Sequence, residues 1–203
     1  MTYKDISIKQ YLALTELAEE ADNRDMLSLQ VGEIAIIFNM TEDDVLSLPL
    51  PEYQKKVKEI QFLSTPPKRN PHRISKIKIN GKPYDVATDV RKLTAGQFID
   101  YNTFVKMKDD KYLPHIISVF VTPEGKKYGD YDMDAHIEEV SCLDLQTALD
   151  LSFFFLSKYQ DWLKSMILCL GWQIKKVKNP ETKKTLMNQL DSLKSGLGYI
   201  TQI

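Results

Sequence analysis

A mainly α-helical protein with one small β-hairpin, a helical bundle carrying a long C-terminal helix, is predicted by three features of the 203-residue chain. Apolar residues recur at spacings of three and four from Leu145 to Val177, the period of a helix with one covered face. Asn80-Gly81 stands between the short runs "ISKIKI" and "KPYDV", the pattern of a two-residue hairpin turn. Capping residues precede apolar runs at Ser7, Thr41 and Thr94, as they do at helix starts.

Taken in order, Ser7 with Gln10 forms a capping box, and Ile8, Tyr11, Leu12, Leu14 and Leu17 follow at helical spacing. A second helix spans Arg24 to Phe38. In "TEDDVLSLPLP" Thr41 caps, three acids favour the positive helix end and Pro49 stops it. Pro51 opens a helix to about Leu63. "STPPKRNPHR", 64–73, is a proline-rich break. The hairpin follows, with Pro83 suiting an edge strand. Helices resume at Thr94. "KYLPHIISVFVTP" reads as a short apolar helix or a strand, "EGKKYGDYD" as a loop and "MDAHIEEV" as a helix. The long helix runs from about Leu143 to Lys178, with Gly171 a candidate bend, and a polar helix from Pro180 ends at Gly196. Three parts of one compact unit result: helical residues 1–63, hairpin and short helices over 64–142, and a long helix with a C-terminal helical element over 143–203.

Hydrophobic residues at 43% and charged residues at 27% allow an ordinary globular core. Balanced charge, net −1, provides no general field for nucleic acid or an anionic membrane, so such a partner would need a local patch. Two cysteines, Cys142 and Cys169, are too few for a disulfide framework and read as reduced, packed thiols. "MTYKDISIKQ" lacks the apolar core of a signal peptide. The most apolar stretch, 149–172, is interrupted by Asp150, Lys158, Asp161 and Lys164, so no membrane span is expected.

The chemistry-bearing residues do not assemble into a catalytic pattern. His136, Glu139 and Cys142 are spaced to share a helix face, yet nothing completes a metal set. His115 reads as a core residue and His72 as solvated. The Gly-Lys of "PEGKKYGD" lacks the earlier glycine and following Ser or Thr of a phosphate loop. Asp43–Asp44 and Asp109–Asp110 suit helix starts and turns. We therefore expect no enzyme, no cofactor and no metal. Lys68, Arg69, Arg73, Lys76 and Lys78 form a basic loop that could meet nucleic acid or an acidic partner; with no interleaved aromatic residues, a solvated or salt-bridged loop is favoured.

Hydrophobic surface is what remains. Phe153, Phe154 and Phe155 are consecutive, so their rings point about 100° apart and cannot share one core face. Phe154, Phe155, Trp162 and Met166 are expected in a protein–protein contact, with Phe98, Tyr101 and Phe104 beside or supporting it.

"DISIKQYLAL", "FLSTPP", "NGKPYDV", "LTAGQFIDY" and "LPHIISVFVTPEGKKYGDYD", in that order, resemble small proteins of tailed-phage morphogenesis modules, nearest to those of crAss-like and other Bacteroidales-infecting phages. The resemblance runs from the first helix to the long one. It implies a virion component of the portal-to-tail region, a ring-forming homo-oligomer touching portal, tail or neighbouring ring proteins. The alternative is a tail-assembly chaperone holding tape-measure protein; a DNA-contacting terminator or packaging accessory, which rests only on the basic loop at 68–78, ranks below both. It places the chain in the virion, and in host cytoplasm during assembly, and it carries no catalytic residues.

Overall fold

Two hydrophobic cores lie along one long helix. The computed structural model describes residues 1–68, 73–107 and 109–200. The first core is helical. Helix α1 (Ile8–Glu19) starts at Ser7, whose hydroxyl accepts from the Gln10 N–H while Gln10 Oε1 accepts from the Ser7 N–H. The same Gln10 side chain donates to the carbonyls of Ile36 and Ile37 at 3.2 and 3.0 Å. Those carbonyls end α2 (Met26–Phe38), where a helix leaves its acceptors open. Asn39 then turns left-handed with φ 52°, a C-terminal cap. Thr41 and Asp44 form a second capping box at α3 (Glu42–Leu46), and Pro51 occupies the first turn of α4 (Leu50–Ile60). Ile6, Val31, Ile34, Ile37, Val45 and Ile60 pack together with Leu145, which arrives from the other end of the chain.

The second core sits under a small sheet. Strands β1 (Lys76–Ile79) and β2 (Lys82–Val86) pair antiparallel around Asn80-Gly81. Both turn residues have positive φ, 50° and 79°, as a type I′ turn demands. Nothing lies within 4 Å of a Cβ placed on Gly81, so its replacement meets only backbone strain. Gly81→Ala is expected to cost about 1–2 kcal/mol, read as an earlier denaturation midpoint with unchanged slope.

The stretch left open between helix and strand contains both. Helix α6 (Leu113–Phe120) passes directly into β3 (Val121–Pro123), which pairs with β2. The order β1-β2-β3 makes β2 central, which corrects the expectation of an edge strand at Pro83. Pro83 is tolerated because it lies one residue past the β3 pairing, where its carbonyl accepts from the Glu124 N–H at 3.2 Å. Helices α5 (Ala95–Met107) and α7 (Met133–Ser141) complete this half.

Helix α8 (Leu145–Lys176) is capped by Asp144, whose carboxylate accepts from the Thr147 N–H at 2.9 Å. It passes through Gly171 without a break. Over 32 residues it extends about 48 Å. Its first turn is tied to the N-terminus by backbone bonds, Ile8 N–H to Leu143 O at 3.0 Å and Leu145 N–H to Ile6 O at 2.8 Å. Three residues later α9 (Pro180–Ile200) packs back against it, longer than the Gly196 end expected. Leu163 belongs to the second core, Leu170 is buried further along α8, and Leu186 and Leu190 on α9 are half-buried.

Candidate assembly surface

An aromatic chain leads from the second core to the surface. Phe155 stacks on Phe120 with centroids 3.7 Å apart, and Phe154 meets Phe155 edge-on at 5.4 Å. Phe120 contacts Tyr101 at 5.1 Å, and Tyr101 contacts Tyr159 at the same distance. Tyr159 stacks against Trp162 at 5.7 Å, and Phe98 closes on Trp162 edge-on at 5.6 Å. The Tyr159 hydroxyl donates to Asn102 Oδ1 at 2.9 Å, which fixes its ring between α5 and α8. Burial pushes the Tyr101 and Tyr159 phenols up from their ordinary range.

This arrangement divides the seven residues expected at a contact. Phe154, Phe155 and Tyr101 are buried in the chain's own core, which corrects their placement in or beside a partner-facing patch. They turn inward because α6 and β3 supply a wall for α8 that helical period alone does not reveal. Phe104 and Trp162 are half-buried against the same core, Phe104 also stacking near Tyr112 and His115. Phe98, 37% exposed, and Met166 face solvent.

The buried stripe of α8 explains the exposed side. Phe155, Tyr159, Trp162, Met166 and Cys169 follow one another by threes and fours, so they share one face. The core covers that face as far as Trp162; beyond it, Met166 and Cys169 are exposed. On a different side, Leu168 and Trp172, four residues apart, form an i,i+4 pair, 66% and 69% exposed. Met187 on α9 and Ile99 on α5 are exposed as well. Leu168, Trp172 and Met187 were not among the expected contact residues. Their signal in the sequence is an apolar pair lying off the main stripe.

The basic loop is partly engaged. Lys76 pairs with Glu124 and lies 3.7 Å from Asp85. Arg73 donates to Thr88 Oγ1 at 3.2 Å, and the Lys68 carbonyl accepts from Gln146 Nε2 at 2.8 Å. Lys78 is exposed on β1. Arg69, and with it His72, lies outside the described residues.

His136 and Glu139 have partners within the fold. Among the described residues no cluster of three His, Cys, Asp or Glu is placed to hold one. Glu139 pairs with Lys82 and accepts from the Tyr84 hydroxyl, while Cys142 is exposed. His136 donates from Nε2 to the Val121 carbonyl at 2.8 Å, leaving Nδ1 buried without a partner. Tyr84 and Tyr131 flank its ring. Burial pulls its pKa below the ordinary 6.5, with the hydrogen bond to Val121 and then the Glu139 charge opposing more weakly. The neutral ring therefore belongs to the fold, and the unfolded chain takes up the extra proton. This contribution is complete above about pH 6.5 and is lost as pH falls toward the lowered folded value. The melting temperature is expected to drop between neutral pH and about pH 5.5, with a shallower drop in His136→Gln.

No helix among the described residues is long and apolar enough to cross a membrane. No family model, curated protein or solved structure matches the chain.

Proposed function

We propose that this chain is a non-enzymatic structural subunit of a tailed-phage particle, in the portal-to-tail region, that assembles through uncovered helix faces. The observation that carries the reading is the distal half of α8, where an apolar face continues past both cores into solvent at Met166 and a second apolar pair, Leu168 and Trp172, is exposed on a different side. A hairpin that exposes this much aromatic and aliphatic surface is suited to a partner protein. The likeness of its sequence to phage morphogenesis proteins supplies the setting, and a ring of copies touching portal, tail or neighbouring ring proteins is the assembly it implies.

A tail-assembly chaperone is the second reading, favoured by the helical form of the same surface, since a helix pair with an apolar face suits a long helical tape-measure protein. Mass spectrometry of purified particles separates the two. A structural subunit is present in mature virions at a stoichiometry consistent with a ring. Absence from the particle, with tape-measure protein captured from infected cells, would falsify the subunit reading and leave the chaperone. A DNA-contacting role for the basic loop has less support, because Lys76 is already paired with Glu124.

A further inference from the structure

The charges of this chain are sorted to its two ends. Residues 1–54 carry eleven acidic side chains against three basic ones. Residues 172–184, which span the end of α8, the turn and the start of α9, carry five lysines against one glutamate. Lys175, Lys176, Lys178, Lys183 and Lys184 are all exposed. Among the described residues none of the five forms an ion pair.

At the other end Arg24 gathers the acids. Its guanidinium lies 3.1 Å from Glu20 and 2.8 Å from Glu42, which brings the end of α1 beside the start of α3. Glu16 and Glu19 on α1, Asp22 in the turn that follows it and Asp43 on α3 are exposed.

The fold holds these ends apart. Leu145 lies in the first core with α2 to α4, while the lysines begin at the far end of α8, about 45 Å away along its axis. Helix α1 starts beside Leu143 and its 12 residues extend about 18 Å, so its acidic end stays more than about 20 Å from the lysines, beyond a screening length of about 10 Å at 0.1 M salt. Each end also carries apolar surface. Met26, Leu27 and Leu46 are exposed near the acids, as Leu168, Trp172 and Met187 are near the lysines.

We infer that the lysine-bearing turn of one copy docks against the acidic α1–α3 edge of a second copy. The contact is head-to-tail: two different patches meet, so copies add in one direction and close into a ring where the rotation allows. The apolar residues provide area to bury, and the opposed charges set encounter rate and register. Duplex nucleic acid would engage the turn alone and leave the acidic edge without a role, so the paired asymmetry favours a second copy. The inference rests on the reading of the chain as a self-assembling subunit.

Two sets of charge reversals on the full chain test it, with sedimentation velocity as the readout. The turn set is Lys175→Glu, Lys176→Glu, Lys183→Glu and Lys184→Glu. The edge set is Glu16→Lys, Glu19→Lys, Asp22→Lys and Asp43→Lys, which avoids the caps Asp25 and Asp44. Self-association of the unaltered chain is expected to weaken at least about tenfold between about 50 and about 500 mM salt. Either set alone should weaken it about as much, and a chain carrying both sets should associate again. That doubly reversed chain also controls for folding, because it contains every substitution. Association untouched by either set retains the subunit reading and overturns this contact. A monomer at every salt concentration overturns it too, and a protein also missing from purified virions removes both readings. Binding of a duplex DNA probe that is lost in the turn set, with self-association unchanged, reassigns the lysines to nucleic acid and overturns the contact.

Discussion

Phe155→Ala is expected to lower folding stability by about 3–5 kcal/mol, the cost of an aromatic cavity in a packed core. The ring is 2% exposed, lies parallel to Phe120 and is braced edge-on by Phe154. The space is not easily filled, since Phe120 ends α6 where β3 begins and cannot follow α8 inward. Against a typical total of about 5–15 kcal/mol, this loss leaves little folded protein at physiological temperature. Urea denaturation followed by far-ultraviolet circular dichroism measures it. A loss below about 1 kcal/mol would mean that α8 does not pack on α6 as described.

Trp172→Ala should behave in the opposite way. Its side chain is exposed on the hairpin and borders the lysines of the turn. The fold should lose no more than about 0.5 kcal/mol, because little buried area is removed. Self-association should fall about 30-fold, the equivalent of about 2 kcal/mol for an aromatic anchor at a contact. Sedimentation equilibrium and a thermal melt on one sample report both quantities. Intact association with a lowered melting temperature would place Trp172 in the fold and refute its role as an anchor.

Local rules accounted for much of the architecture. Ser7 with Gln10, Thr41 with Asp44 and Asn80-Gly81 each act within four residues, so their geometry follows from adjacent side chains. The long helix was legible for the same reason, as was its continuation into a second helix after Pro180. Contacts between distant segments were not. Nothing near Val121 announces that it will pair with Val86 as a third strand. The inward turn of Phe154 and Phe155 depends on that same strand and on α6, so helical period alone sent them toward a partner. In the candidate surface, Phe98, Trp162 and Met166 could be named because each extends an aromatic or stripe pattern. Leu168 and Trp172 could not, because their face is defined only by where both cores stop. The lysines of the turn were readable as "KKVKNPETKK", but their meaning required the position of the acidic edge at the far end of α8.

The bond pair between Ile6–Ile8 and Leu143–Leu145 has a consequence for synthesis on the ribosome. The N-terminal helices appear first, yet their core is completed by Leu145, 85 residues after α4 ends at Ile60. At about 5–20 residues per second the nascent helices wait on the order of ten seconds for that side chain. During this interval Ile34 and Val45, which the finished molecule covers fully, stand beside an unfilled gap. Factors that shield emerging chains should therefore engage this protein through its first sixty residues, and release should coincide with emergence of α8.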